Sequence, residues 1–231
     1  MAKRRRTSGI QRRDRASAEA LNRRIDAQRG VSLPDWRLLA IGGVLLVGVI
    51  LIVAVIVLGG GRNPNEGVTL TNDGTLHVSV GVDCRDPGQQ NDQTGCGADP
   101  YSSLPAASGP HWEPSGVANW GVYSTPQPET QLIHNLEHGG IVIWYDPDAI
   151  DADGIEQLES YVESQVAQGQ GGRFKFIVSP WGGREDLPSP VVATAWRHML
   201  ELDAVDMDAI RGFADANYLR WAPEPNGGPA P

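Results

Sequence analysis

An uninterrupted apolar run, LLAIGGVLLVGVILIVAVIVL at residues 38–58, constrains this chain more than any other feature. It carries no charge and no strong hydrogen-bonding side chain. At 1.5 Å rise per residue such a helix is about 31 Å long, the hydrocarbon thickness of a bilayer. A soluble helix has a polar face, and this run has none. Trp36 and Arg37 stand where an interfacial anchor belongs. The run is longer than a signal-peptide core, starts far into the chain and lacks an A-x-A-like site, so it reads as an uncleaved signal-anchor.

Charge divides at this run. Residues 1–37 hold eleven of the nineteen Lys and Arg against four acids, whereas residues 62–231 hold eight basic residues against 24 acids. Basic residues stay on the cytoplasmic side of a membrane span, so the acidic part is expected outside. The basic run MAKRRRTSGIQRRDRASAEALNRR is then a topology signal that also meets anionic lipid headgroups, and no nucleic-acid partner is assigned. The expected organisation is a basic cytoplasmic tail (1–37), a transmembrane helix (38–58), a linker (59–67), an extracytoplasmic domain (68–221) and a disordered Pro/Gly tail (222–231).

Both cysteines, Cys84 and Cys96, fall in the outer part. Two cysteines in an oxidising compartment most simply pair, and closing that short polar loop stabilises a fold by about 3 kcal/mol in the loop-entropy model. A pair of metal ligands is the alternative, although the spacing is unlike the short C-x₂₋₄-C of zinc sites.

The outer domain is expected to be α+β, a small mixed sheet packed by helices. Strand candidates at 68–72 and 75–80 flank the turn signal Asn72-Asp73-Gly74 and suggest a hairpin. Residues 84–128 read as long ordered loops, held by the cysteines and by Tyr101, Trp112, Trp120 and Tyr123. IVIWY (141–145) and FKFIVS (174–179) read as strands. Residues 154–168, capped by Asp153, and 207–219 read as amphipathic helices. A further helix is expected after Ser189-Pro190, with Val192, Ala195, Trp196 and Met199 on one stripe and His198 on the same element.

The candidate chemistry lies in SGPH (108–111) and HNLEHGG (134–140). His134 and His138 are four residues apart. On a helix their Cα atoms are about 6 Å apart, close enough to share an ion; on a strand they are about 13 Å apart, which is too far. Gly139-Gly140 supplies a helix stop, so a short helix over 130–137 is expected. His111, behind Pro110, is the natural third ligand, and Glu137, Glu113, His77 or water completes the set. Nitrogen ligands with an open position suit copper or zinc. On the outer side the methionines are only Met199 and Met207, which favours Cu²⁺ or Zn²⁺ over Cu⁺. The alternative is that these histidines only hydrogen-bond backbone groups.

H-x-x-E-H is also the signature of inverted zinc peptidases, with Glu137 as base, but the glycine stop leaves no room for their long zinc helix. No nucleophile elbow, phosphate loop or dinucleotide motif is present, and the reading leans away from an enzyme. The segments SGPHWEPSGVANWGVYSTPQP, LIHNLEHGGIVIWYDP and VVATAWRHML, in this order, resemble a bacterial membrane-anchored family, the domain of unknown function numbered thirty-one-oh-five, over residues 68–224. The resemblance implies an outward-facing domain on one N-terminal helix, brings no established activity, and has a gene setting similar to that of copper handling. His111, His134, Glu137 and His138 match its motif; His77 and His198 are not carried over. Two functions are therefore expected: metal binding at the outer membrane face through His111, His134, His138 and Glu137, or a non-enzymatic accessory subunit with an envelope membrane-protein partner.

Overall fold

A computed structural model describes residues 64–231. The expected cytoplasmic tail, transmembrane helix and most of the linker lie outside the described residues. Among the described residues no helix is long and apolar enough to cross a membrane.

The fold is α+β, built on a six-stranded mixed sheet. Its strands are β1 (Val68–Thr69), β4 (Gly121–Val122), β5 (Ile141–Tyr145), β6 (Phe176–Pro180), β7 (Val191–Ala195) and β8 (His198–Leu202), in the order β1-β8-β7-β5-β6-β4. β6 pairs in parallel with β4 and β5, while β5–β7, β7–β8 and β8–β1 are antiparallel. A separate two-stranded parallel ladder joins β2 (His77–Val78) to β3 (His111–Trp112). The helices are α1 (Glu129–Glu137), α2 (Ala152–Val166) and α3 (Met207–Asn217).

Alternation along the central strands divides the core. Ile141, Ile143, Phe176 and Val178 face Leu158 and Val162 of α2 and Ile210 and Phe213 of α3. Val142, Trp144, Ile177 and Val192 face Leu132, Ile133 and Leu136 of α1. Side chains on successive strand positions point to opposite faces, so a run as apolar as IVIWY is what a strand covered on both sides requires. Burying each of these aliphatic side chains contributes about 1.5–3 kcal/mol, against about 0.5–1.5 kcal/mol net for a single hydrogen bond. α1 is therefore seated chiefly by Leu132, Ile133 and Leu136, and the polar residues on its other side are carried to a fixed place.

Local signals explain the helix ends. Asp151, rather than the expected Asp153, caps α2 by accepting from the Gly154 amide at 2.8 Å. α1 stops as its sequence dictates. Gly140 donates to the Asn135 carbonyl and Gly139, at φ +82°, to that of Leu136. These are the two bonds of a Schellman end, which takes a left-handed residue without penalty only as glycine.

Three expectations need correction. The segment after Ser189-Pro190 is not a helix: β7 and β8 form a hairpin, with Ala195 opposite His198 and only Trp196-Arg197 between. Val192, Ala195, Trp196 and Met199 match a helical stripe, yet Val191, Val192 and Thr194 are β-branched and pair with the open side of β5. The expected 68–80 hairpin is also absent. β1 joins β8, and the turn residues serve a distant loop instead: Asp73 accepts from the Ser102 amide and hydroxyl, and Gly109 donates to the Gly74 carbonyl. The closing Pro/Gly segment, expected to lie outside the folded part, is hydrogen-bonded into it. Lys175 Nζ donates to the carbonyls of His138 (2.8 Å), Pro225 (2.7 Å) and Gly227 (2.8 Å), and Trp120 Nε1 donates to that of Pro229 (2.9 Å). A segment without secondary structure of its own still offers carbonyls, and a buried ammonium gathers them.

Candidate metal centre

Three elements bring polar residues to the side of α1 away from the sheet core. α1 contributes His134 and Glu137, which at i and i+3 share a helix face. β3 contributes His111 and β2 contributes His77, directly opposite each other in the parallel ladder. The ladder is closed by His111 N–H to the Leu76 carbonyl (2.9 Å) and Glu113 N–H to that of Val78 (2.8 Å).

One ligand atom from each of His77, His111, His134 and Glu137 lies within 4.8 Å of the others, a group that could hold a metal ion. His111, His134 and Glu137 are almost entirely buried, whereas the side chain of His77 is 39 % exposed. The ring nitrogens are assigned by their partners. His111 Nδ1 donates to the Gly109 carbonyl at 2.8 Å, and His134 Nδ1 to the Trp112 carbonyl at 2.5 Å. A carbonyl can only accept, so each Nδ1 carries a proton and Nε2 is left for the centre. Metal-binding histidines are commonly held in this way, with the second nitrogen anchored to a backbone oxygen.

Glu137 Oε2 is 3.0 Å from His111 Nε2 and 3.5 Å from His77 Nε2. With His111 Nδ1 donating to Gly109, either a proton shared between Nε2 and Oε2 or a cation between the two atoms accounts for that 3.0 Å contact. Burial pushes the Glu137 carboxyl upward, but its bond to His111 and the neighbouring imidazoles hold it below the usual carboxylate range. Burial lowers the His134 imidazole to about 4, outweighing its bond to Trp112, so His134 presents a neutral nitrogen at neutral pH. The group thus offers one carboxylate, one neutral buried imidazole, a second buried imidazole whose Nε2 faces the carboxylate, and one exposed ring. Ligand atoms around a tetrahedral ion at about 2.0–2.1 Å lie about 3.3 Å apart, so a 4.8 Å spread must contract on binding. The exposed His77 ring is the one with room to do so.

The residues expected from sequence are divided by the structure. It brings His111, His134 and Glu137 together and leaves His138 outside the four-residue group. The His138 ring is 4.7 Å from that of His134, and its Nδ1 is anchored likewise, donating to the Glu224 carbonyl at 3.2 Å. Gly227 lies against it so closely that a Cβ there would come within 2.2 Å of Nδ1. Burial lowers its pKa as well. Glu113 bonds Ser115 and His198 stacks on Trp221, both away from the group. His77 is one of several residues that could complete the set on sequence grounds, and no local motif marks it. Its place follows from a parallel pairing across 34 residues, which sequence spacing does not reveal. Cys84 and Cys96 form a disulfide and are not metal ligands.

Comparison with curated proteins and with solved structures gave no match. The family model described as "Protein of unknown function (DUF3105)" matches residues 95–229, a stretch that includes His111, His134, Glu137 and His138 and begins after His77. With more than half of its length matched, this chain belongs to the DUF3105 family.

Proposed function

We propose that this chain is a membrane-anchored, extracytoplasmic metal-binding protein that takes divalent copper or zinc at His77, His111, His134 and Glu137. The observation that carries the reading is the disposition of the ring nitrogens. Two buried histidines commit Nδ1 to backbone carbonyls, the Nε2 of His111 lies 3.0 Å from a buried carboxylate, and His134 belongs to the same converging group. Three imidazoles and one carboxylate suit Zn²⁺ or Cu²⁺, and the absence of thiolate and thioether from the described group disfavours Cu⁺. Four protein ligands can fill a tetrahedral ion's positions, and the solvent-exposed His77 gives an ion a way in and out, as a carrier, buffer or sensor needs. The apolar run at 38–58 and the charge asymmetry around it support the anchored, outward-facing placement.

The test is metal analysis by mass spectrometry on the full chain, purified in detergent without a histidine tag. About one copper or zinc ion per chain is expected, with loss of stoichiometric binding in His134→Ala. A wild-type protein that is metal-free and resists loading with both ions would overturn the reading and leave the 3.0 Å contact as a buried hydrogen bond.

A further inference from the structure

The Cys84–Cys96 disulfide lies behind the exposed ligand. Val78, Cys84 and Cys96 form a small buried cluster of their own, with Val82, Tyr101 and Trp112 packed around it. Val78 directly follows His77 on β2, and consecutive strand residues face opposite ways. Val78 therefore sits on the disulfide while His77 meets Glu137 and stacks on His134 at 5.1 Å. The disulfide loop passes close behind β2: a Cβ on Gly95 would touch Val78 at 3.4 Å and Leu76 at 3.6 Å.

The same loop is tied to the ligand helix. Cys84 N–H donates to Thr130 Oγ1 at 3.4 Å, and Arg85 Nε pairs with Glu129 at 2.8 Å. Both acceptors lie on the first turn of α1, one turn before His134. The buried ligands have other support. α1 is seated on the sheet by Leu132, Ile133 and Leu136, and His111 and His134 are fastened to backbone carbonyls. His77 has a two-residue strand with one ladder partner, and Val78 beneath it. Its position therefore depends on the disulfide far more than theirs does.

We propose that the Cys84–Cys96 disulfide positions His77, so that the metal centre holds four protein ligands when the disulfide is closed and three when it is reduced. This rests on the metal-binding reading above. Reduction is thiol–disulfide exchange. A dithiol gives two electrons and two protons to the bridge, becomes a cyclic disulfide itself, and leaves two thiols at Cys84 and Cys96. The loop is then no longer closed, Val78 loses its fixed backing, and His77 swings free of Glu137. Oxidation state would thereby set how firmly the ion is held.

The test measures zinc affinity by competition with a chromophoric chelator, using the full chain in detergent. Four proteins are compared: oxidised wild type, His77→Ala, Cys84→Ser/Cys96→Ser, and the triple variant. Serine is chosen so that freed thiolates cannot bind zinc themselves. Loss of a supporting interaction around a metal ligand typically weakens affinity about 10–100-fold, so at least roughly a tenfold loss is expected in the double serine variant, with a similar one in His77→Ala, where the same ligand is gone. The triple variant should lose no more than either, because the disulfide acts through His77; independent effects would multiply. Unchanged affinity in the double serine variant, or multiplied losses in the triple, would overturn the proposal while leaving the metal site standing. A wild type that binds no zinc or copper would overturn the metal reading and this proposal with it. Should the double serine variant fail to fold, Val78→Ala decides the matter with the bridge intact: an affinity loss absent from a His77→Ala background supports the proposal, and no loss overturns it.

Discussion

His77 and His138 flank the same imidazole and have opposite fates. Their rings lie 5.1 Å and 4.7 Å from that of His134, so distance alone would favour His138. Yet His77 stands open to solvent on a two-residue strand with a carboxylate oxygen 3.5 Å away. His138 is covered by the C-terminal segment and gives its Nδ1 proton to a backbone carbonyl of that segment. His111, His134 and His138 all anchor Nδ1 to a backbone carbonyl, so what separates them is whether the ligand atoms converge and what covers them, rather than how near the rings lie. The two ends are also held by different means, a disulfide behind His77 and a lysine behind the strap over His138.

The largest effect is expected at that lysine. Lys175 is buried, and its ammonium is shared by three carbonyls, two of them in the strap. Bonds from a charged donor are worth about 1.5–3 kcal/mol each, and their loss here is offset in part as water reaches the strap. Lys175→Met should therefore lower stability by about 3–4 kcal/mol in urea unfolding and speed amide exchange throughout residues 222–231. A loss below about 1 kcal/mol, with exchange unchanged, would mean that the strap is held by its other contacts and that the two ends differ less than the geometry implies.

These two ends were unequally legible in the sequence. The glycine stop after α1 followed from local rules because a helix end is written within a few residues, whereas the His134–His138 pair expected on that turn is not the one that converges: His134 and Glu137 do. The central strands were legible because burial on both faces demands an unbroken apolar run. The β7–β8 hairpin was not, since apolar residues at helical spacing also alternate once Val191 to Ala195 are paired with β5, and the partner strand decides. His77 was hidden for a related reason. Its neighbour in space is His111 through a ladder that no hydrophobic period announces. The strap was hidden because Pro/Gly composition reports only that a segment cannot form its own core, not that a distant lysine will hold it.

A smaller effect, in pH, can assign acid sensitivity to one end or the other. Burial lowers His134 from 6.5 to about 4, so between those values the unfolded chain binds a proton that the folded chain refuses. Stability of the metal-stripped protein should accordingly fall as the pH drops from about 6.5 to about 4, by at most about 3 kcal/mol from this residue. Burial lowers His138 and His198 as well, and they act in the same direction. Glu137, held low, keeps its contribution until the pH falls below the ordinary carboxylate range. Urea midpoints measured from about pH 7.5 to about pH 4.5 should show a flatter profile in His134→Gln than in wild type. An equally steep profile in that variant would place the acid sensitivity away from His134, with His138 and His198.

The smallest expected effect is the most direct test of the comparison. His138 lies next to His134 and matches the H-x-x-E-H pattern, yet it is not one of the four residues whose ligand atoms converge. If its role is to meet the strap, His138→Gln keeps a polar group near the Glu224 carbonyl and leaves the ion's ligands untouched. Zinc affinity should then change by less than about threefold, which is under about 0.7 kcal/mol in binding free energy. The stability loss should be a fraction of that in Lys175→Met, since one neutral hydrogen bond is exchanged rather than three charged ones removed. A tenfold loss of zinc affinity with stability unchanged would reverse the assignment. The strap would then have to lift on binding, His138 would join the ion, and the asymmetry between the two ends would describe only the metal-free protein.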